Sequence, residues 1–211
     1  MVLEASQLHA LQRYLELLHR WNRVHNLTAV RDPAQMLTHH LLDCLAVVTP
    51  LRRALSPIAA DRPSLPRILD VGSGGGLPGV VLSIMEPGWS VTCVDAVAKK
   101  VAFVQQVAAD LGLDGLSPVH GRVERLTGRF DVVVSRAFAS LADFVRLTRP
   151  RLAQPDGVWM AMKGRRPEDE IAALPPDVAV FHVEPLIVPG LDAQRCLVWM
   201  RPGHRSGPDE R

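Results

Sequence analysis

Apolar residues near the amino terminus follow the spacing of an α-helix. Four leucines recur three or four positions apart, which places them on one face of a helix that must pack against other elements. They are Leu8, Leu11, Leu15 and Leu18. We predict that this helix ends within residues 22–26.

A second helix is predicted to begin after Asp32, whose side chain is suited to an N-cap. Pro33 then occupies the first turn, and Gln35 stands where it completes a capping box. The apolar face of this helix consists of Leu37, Leu41, Leu45 and Val48.

The pattern changes after a proline-rich stretch at residues 52–66, which we predict to be a linker. Beyond it, short β-branched runs alternate with helical patterns. Strands are predicted at residues 67–71, 90–95, 117–120, 130–135, 158–163, 178–184 and 196–201. Helices are predicted at residues 98–111, where Gly112 ends the helix, and at residues 141–152. This alternation indicates an α/β fold with a seven-stranded, mostly parallel sheet covered by helices on both faces.

The domain organisation follows from these patterns. We predict a helical extension with its linker at residues 1–66, an α/β domain at residues 67–201, and a disordered tail at residues 202–211. A chain of 211 residues that is 47% hydrophobic suffices for one such domain with an extension.

Charge and cysteine content narrow the function classes. The formal charge is only +2, but the cations are 21 Arg and 3 Lys, and arginine suits planar contacts with phosphates and bases; codon bias is the alternative reason. Three scattered cysteines indicate neither a disulfide framework nor a zinc site. With no secretory signal and no long apolar run, we expect a cytoplasmic protein without a membrane partner.

The stretch DVGSGGGLPG, residues 70–79, predicts a ligand-binding loop at the end of the first strand. A dinucleotide pattern fits Gly74, Gly76 and Gly79, but the tight turn should begin at Gly72, and in that register Leu77 occupies the third glycine position. The carboxylate of Asp70 would repel a pyrophosphate and favour a ligand with an ammonium and a sulfonium group, as in S-adenosylmethionine. The alternative is a tight turn without a ligand.

Later strand ends add candidate contacts around the same crevice. Asp95 ends the second strand, where its carboxylate can accept hydrogen bonds from ribose hydroxyls. After the third strand, Val123 can pack against an adenine whose amino group meets Glu124 or a backbone carbonyl. Arg136 follows the fourth strand and Lys163 the fifth.

Several blocks together resemble the ribosomal small-subunit methyltransferase G family, also called glucose-inhibited division protein B. They are WNRVHNLTAVRDP, HHLLDCLAV, DVGSGGGLPG, VDAVAKKVAF, GRVE, SRAFASL and MKG. The resemblance implies a class I, Rossmann-like methyltransferase that transfers a methyl group from S-adenosylmethionine to guanine N7 in 16S ribosomal RNA, at nucleotide 527 of the decoding region. It also implies that the cofactor is surrounded by Gly72, Leu77, Val123, Glu124 and Arg136.

Guanine N7 carries a free lone pair, so the transfer needs in-line positioning and no general base. We expect Arg136 to orient the guanine through O6, or the cofactor through its carboxylate, and Lys163 to hold a phosphate. The alternative for Arg136 is an ion pair with a carboxylate such as Asp131 or Asp143, and an ion pair is equally open for Lys163.

RNA contacts are predicted at two basic clusters, although a solvated basic edge is an equal alternative. The candidates are Lys163, Arg165, Arg166, Arg23, His25 and Asn26. His39, His40 and Asp43 have helical spacing, but two ligand types on one helix lack a third partner, so a helix-surface hydrogen bond or a docking role is favoured over a metal site. We expect a monomer that acts on 16S rRNA or the small ribosomal subunit.

Three other functions stay open on the residues alone. A nicotinamide-dependent oxidoreductase would need a Tyr-x-x-x-Lys pair, but the single tyrosine, Tyr14, lies in the first helix. A non-catalytic RNA-binding or assembly protein would keep the basic edge without needing the glycine loop and both acids. A methyltransferase for small molecules would share the fold.

Overall fold

The computed structural model describes residues 2–61, 64–138 and 140–203, without the side chains of residues 57–61. One seven-stranded sheet has the strand order β3-β2-β1-β4-β5-β7-β6, and β7 runs antiparallel to both of its neighbours while the other pairs are parallel. The strands are β1 Arg67–Val71, β2 Ser90–Asp95, β3 Leu116–His120, β4 Val132–Arg136, β5 Val158–Lys163, β6 Val178–Leu186 and β7 Arg195–Pro202. The predicted mostly parallel sheet is confirmed.

Helices cover both faces of this sheet. They are α1 Ala5–His25, α2 Pro33–Met36, α3 Asp43–Leu45, α4 Val48–Asp61, α5 Gly79–Met85, α6 Ala98–Leu111, α7 Leu141–Thr148 and α8 Glu168–Ala172. A π-helical turn, Leu37–Leu42, joins α2 to α3, and 3₁₀ turns lie at Val123–Arg125 and Arg149–Arg151. No helix in the described ranges is long and apolar enough to cross a membrane.

Successive side chains of the strands point to opposite faces of the sheet and pack into two apolar cores. Ile68 packs into the core formed with α1, α4, α5 and α6, whereas Leu69 points to the opposite core, which contains Phe144 of α7. The helices at the amino terminus therefore bury their apolar face against the same sheet, and α1 lies against α5 and α6. The predicted division at residue 66 stays a prediction.

The predicted linker is wrong over most of its length. Helix α4 continues to Asp61 through Pro57, so only the last residues of the stretch 52–66 are available for a connection. Leu51 and Leu55 of this helix are almost completely buried, and their burial stabilises a helix that local proline content argues against. The predicted tail lies outside the described residues from position 204 onwards.

The first helices differ in detail from their predicted patterns. Leu8 is 47% exposed, and the buried face of α1 is formed by Leu11, Tyr14, Leu17, Leu18 and Asn22. Asn26 ends α1 in a left-handed conformation, within the predicted range. Asp32 is the N-cap of α2, but its side chain accepts from the N–H of Ala34 at 3.0 Å in place of the capping box predicted with Gln35.

Smaller differences concern element ends. Phe130 forms only an isolated bridge with Leu152, so β4 begins two residues later than predicted. The helix predicted at residues 141–152 ends at Thr148, where Pro150 follows in a 3₁₀ turn. Strand β1, strand β5 and helix α6, including its Gly112 cap, have their predicted bounds.

Candidate active site

The glycine loop connects β1 to α5 at the carboxyl edge of the sheet. Gly72, Gly74 and Gly76 have φ angles of +69°, +57° and +82°, a left-handed conformation that glycine adopts without strain. A Cβ on Gly72 would meet no atom within 4 Å, whereas a Cβ on Gly76 would lie 2.4 Å from Val80 Cγ2. The loop is thus packed on its inner side, where Leu77 is buried, and open at Gly72.

Asp70 lies completely buried beneath this loop. Its Oδ2 accepts the N–H of Gly79 at 2.8 Å, while Oδ1 has no hydrogen-bond partner among the described residues. A Cβ on Gly79 would stand 2.3 Å from Cys93 Sγ, so only glycine lets α5 begin this close to the carboxyl group. Burial raises the pKa of Asp70 to about 7, although the Gly79 hydrogen bond favours the charged form.

Asp95 holds the loop from the side. Its Oδ2 accepts the N–H of Gly74 at 2.9 Å, and its Oδ1 accepts the N–H of Val97 at 2.9 Å. Each carboxylate oxygen has a further lone pair, so these bonds leave acceptor capacity for a hydroxyl group. Asp95 is 7% exposed, and the structure therefore keeps a carboxylate at the rim of the loop.

Helix α1 holds the loop from behind, which the sequence did not predict. The hydroxyl of Tyr14, fully buried, donates to the carbonyl of Gly75 at 2.7 Å. Leu18 Cδ1 lies 3.0 Å from the position of a Cβ on Gly75, so α1 packs directly on the loop. Burial raises the pKa of Tyr14 well above its usual value, which keeps this donor protonated.

The third strand end contributes a short turn. Val123 is buried and Glu124 is exposed, both in the 3₁₀ turn Val123–Arg125. The N–H of Gly121 donates to the carbonyl of Asp95 at 3.0 Å, which joins this strand end to the rim of the glycine loop.

Arg136 at the end of β4 is bound to the first helices. Its Nη1 lies 3.0 Å from the carbonyl oxygen of His39, 3.2 Å from His40 Nδ1 and 3.5 Å from Asp43 Oδ2. The predicted alternative partners were therefore the wrong carboxylates, since Asp143 pairs with Arg146 and Asp131 accepts the N–H of Arg67.

His40 and Asp43 connect Arg136 to further elements. His40 Nδ1 lies 3.0 Å from the carbonyl oxygen of His39 as well as 3.2 Å from Arg136 Nη1, and His40 Nε2 lies 2.7 Å from Thr28 Oγ1. Burial, together with the charge of Arg136, lowers the pKa of His40 to about 4. Asp43 is buried and also accepts from Arg195 Nε of β7 at 3.0 Å. His40 and Asp43 thus belong to a network of side chains around Arg136.

A cavity of about 480 Å³ opens beside this network. Its lining comes from the ends of β4, β5 and β7 and from the first helices, and it includes Thr28, Val30, His39, Arg136, Lys163 and Arg195. Ala137, which also lines it, has a φ of +61°, an uncommon value for a residue with a side chain. Because β4 pairs with β1, this cavity and the glycine loop lie at neighbouring strand ends.

Lys163 at the end of β5 and Arg166 beyond it are paired with acids. Lys163 Nζ donates to both carboxylate oxygens of Glu170, at 2.7 and 2.9 Å, and Glu170 also accepts the N–H of Leu141 at 2.8 Å. Arg166 lies 2.6 Å from Glu168. Arg165 is exposed. The ion pair left open for Lys163 is therefore present in the structure, and its predicted phosphate contact stays a prediction.

The cluster predicted at the end of α1 is only partly together. Arg23 is exposed, Asn26 accepts from Arg31 at 3.2 Å, and the ring of His25 lies 5.0 Å from that of Trp21. A cavity of about 190 Å³ joins Arg23 to His19, Asn22 and Arg31. Within the described ranges, no group of three or more His, Cys, Asp or Glu is arranged to hold a metal ion.

Sequence reasoning missed Tyr14, Arg195, His19 and Arg31. Arg31 stands inside the block WNRVHNLTAVRDP, which provided a signal. Tyr14 and Arg195 had none, because their partners in the loop and in the network are distant in the chain. His19 had none, because no pattern in the sequence singled it out.

Comparisons with known proteins identify relatives of this chain. The family model described as rRNA small subunit methyltransferase G matches residues 7–198. Ribosomal RNA small subunit methyltransferase G of Acidovorax sp. (strain JS42) is 60% identical over 202 residues, covering 95% of this chain and 89% of the relative. The protein of the same name from Albidiferax ferrireducens is 58% identical over 205 residues, covering 95% of this chain and 91% of the relative.

Solved structures share the fold at low sequence identity. TrmN from Thermus thermophilus has a TM-score of 0.55 and 20% identity, covering 74% of this chain and 48% of that chain. The glycopeptide N-methyltransferase MtfA complexed with sinefungin has a TM-score of 0.55 and 15% identity, covering 72% of this chain and 86% of that chain. The predicted fold class and the family resemblance are both confirmed: the chain belongs to the rRNA small subunit methyltransferase G family.

Proposed function

We propose that the chain transfers a methyl group from S-adenosylmethionine to N7 of a guanine in 16S ribosomal RNA, nucleotide 527 by the family resemblance. As a family member it is an rRNA methyltransferase. The observation that carries the finer proposal is the pairing of an open glycine loop with a cavity lined by Arg136 at the neighbouring strand end. In this proposal the glycine loop binds the cofactor, and the cavity beside Arg136 binds the guanine base.

The residues around the loop fit S-adenosylmethionine. Open space above Gly72 and Gly74 admits a ligand to the backbone, and Asp95 has acceptor capacity for ribose hydroxyls. Val123 offers an apolar surface to the adenine, and Glu124 accepts from its amino group. The other positions that shape this site are Asp70, Gly76, Leu77 and Arg136.

Asp70 supplies the electrostatic part of this fit. Its Oδ1 has no hydrogen-bond partner among the described residues, and a positive charge above the loop would favour the ionised form of the carboxyl group. When bound, S-adenosylmethionine supplies an electrophilic methyl group on a sulfonium. A larger fraction of the Asp70 carboxyl group is then ionised, and the negative charge strengthens binding of a cationic ligand.

Arg136 is the proposed positioning group for the guanine. Its anchored Nη1 fixes the guanidinium, while about a fifth of the side chain remains exposed at the cavity. A guanidinium held in this way can donate to guanine O6, the atom beside N7, or to the cofactor carboxylate. No side chain has to remove a proton, because N7 is already unprotonated; the chain contributes in-line positioning.

RNA contacts are proposed on both sides of the cavity. Lys163 can exchange its Glu170 partner for a phosphate, and Arg165 and Arg166 extend the same edge. Arg23, His25 and Asn26 lie at the end of α1 on the other side. With ribosomal RNA as its substrate, the protein is proposed to act in the cytoplasm as a monomer.

A transfer assay tests this proposal. Labelled methyl groups from S-adenosylmethionine are offered to small ribosomal subunits from cells that lack the protein, and the modified base is mapped. We expect one labelled guanine, with the label at N7. Label in protein or in an exocyclic amine would contradict the assigned chemistry. Calorimetry with the demethylated product that shows no heat would contradict the cofactor assignment.

A further inference from the structure

A second, smaller cavity lies at the carboxyl-terminal end of α1. It encloses about 190 Å³ and is lined by His19, Asn22, Arg23 and Arg31. One water molecule takes up roughly 30 Å³ in the liquid, so this cavity has room for a phosphate group. Two of its four side chains are permanently cationic, and none is acidic.

The two arginines are not neutralised by acids. Within the described ranges, no carboxylate lies within ion-pair distance of Arg23 or Arg31. Arg31 donates to the neutral amide of Asn26, and the neighbouring Asp32 is engaged as a helix cap. Lys163, in contrast, is bound by Glu170. The positive charge of the small cavity is therefore available to an anion.

His19 forms part of the wall of the small cavity. Its Nδ1 is buried without a hydrogen-bond partner in the described part of the chain. Solvent does not reach this atom, so His19 lines the cavity without offering Nδ1 to a ligand. Next to two guanidinium groups, the ligand that fits is an anion with several acceptor oxygens.

Asn22 links the small cavity to the large one. Its side chain donates to the carbonyl of Val30 at 2.9 Å and accepts the N–H of Thr28 at 2.8 Å. Thr28 and Val30 line the 480 Å³ cavity beside Arg136, and Asn22 lines the small one. One loop thus forms the wall between the two cavities.

We infer that the small cavity binds a backbone phosphate of the RNA whose guanine occupies the cavity beside Arg136. This assignment rests on the proposed function, since it takes RNA as the ligand. It makes Arg23 and Arg31 the paired phosphate contacts, and it leaves the cofactor loop uninvolved.

The test compares RNA binding of the wild type with that of an Arg23→Gln/Arg31→Gln double variant. The probe is a 16S rRNA transcript, and affinity is measured over a range of salt concentrations. We expect affinity to fall about three- to tenfold near 0.1 M salt, and the slope of log K against log salt to become shallower by about one. Binding of S-adenosylhomocysteine is expected to stay unchanged.

Arg13→Gln is the matched control. Arg13 lies on the same helix but is already paired with Glu16 and Asp110, so we expect no change in the salt slope. If the double variant fails to fold by circular dichroism, the single variant Arg31→Gln, in an exposed loop, carries the same test with about half the effect.

Two outcomes overturn the inference. One is an RNA affinity and salt slope equal to those of the wild type. The other is calorimetric binding of inorganic phosphate that the double variant loses while its RNA binding is intact, which would mark a site for free phosphate. If the wild type binds RNA but transfers no methyl group, the proposed function is contradicted instead. The salt dependence of RNA affinity then still tests whether the small cavity binds a phosphate.

Discussion

The two halves of the crevice use charge in opposite ways. At the ends of β1 and β2, the carboxylates of Asp70 and Asp95 accept backbone N–H groups of the glycine loop and the turn after β2. At the ends of β4 and β5, Arg136 and Lys163 are bound by carboxylates from other elements. The first half fixes a backbone shape, whereas the second half holds cations in place through side chains.

The half of the crevice at the ends of β1 and β2, which we call the acidic half, is therefore preorganised. In the basic half, at the ends of β4 and β5, a charged partner can be exchanged. Backbone groups bound to buried carboxylates stay in position without a ligand, which is the condition for strong electrostatic binding. The Lys163–Glu170 ion pair is partly exposed and therefore weak, and an incoming phosphate can replace its carboxylate. We therefore expect substitutions in the acidic half to act on cofactor affinity, and those in the basic half to act on RNA.

Asp95→Ala is expected to have the largest effect on ligand binding. It removes the acceptor for the N–H groups of Gly74 and Val97 and, in the proposed complex, for the ribose. Losing these bonds should weaken binding of S-adenosylhomocysteine about a hundredfold, measured by calorimetry. RNA affinity should be unchanged. Asp114→Ala, at an exposed acid, serves as the control, and an equal loss in that variant would refute the role of Asp95.

Asp70→Asn tests the buried carboxyl group through pH. The pKa of Asp70 is about 7 in the folded protein, above its ordinary value of 3.8, so its contribution to stability is lost as the pH rises between these values. Asparagine does not ionise. The variant should therefore gain stability relative to the wild type between pH 4 and 8, by about 4 kcal/mol.

Urea unfolding at several pH values measures this difference. His40, whose lowered pKa gives the opposite slope from about pH 6.5 down to about 4, is present in both proteins and cancels. The variant should also bind the cationic cofactor more weakly. A constant difference between the two proteins across this pH range would show that Asp70 does not titrate as the structure indicates.

Asp43→Ala sharpens the comparison on the basic side. It removes the buried acceptor shared by Arg136 and Arg195, whose side chains are only about a fifth exposed. Because water can reach both arginines in part, we expect a loss of about 1–2 kcal/mol in unfolding free energy. Methyl transfer should fall while affinity for S-adenosylhomocysteine is retained. Loss of both together would mean that the two halves do not act separately.

The same division explains what the sequence revealed. The acidic half depends on contacts between neighbouring segments, such as Asp70 with Gly79. The sequence located it because ligands of open α/β sheets bind at the carboxyl ends of the strands. The partners of Arg136 lie 97 residues away at His39, and Asp43 reaches Arg195 across 152 residues. No local pattern encodes such pairs. Helix α4 was missed for a related reason, since the buried packing of Leu51 outweighs local proline content.

Tyr14→Phe tests whether the acidic half relies on α1. The change deletes the hydroxyl that donates to Gly75 and leaves a buried carbonyl unpaired, so the loop should become less ordered. We expect the KM for S-adenosylmethionine to rise about fivefold with kcat retained. Thr148→Val, which deletes another fully buried hydroxyl in the opposite core, should lower stability without changing this KM.

Glu170→Gln is expected to have the smallest effect and to act in the opposite direction. The amide keeps an acceptor for the N–H of Leu141 but loses the charge that binds Lys163. Lys163 is then free for a phosphate, so RNA affinity should rise two- to threefold with a steeper salt dependence. Glu168→Gln, whose ion pair with Arg166 is more exposed, should change less. A fall in RNA affinity would show that Glu170 positions Lys163 rather than competing for it, and the basic half would then be as preorganised as the acidic one.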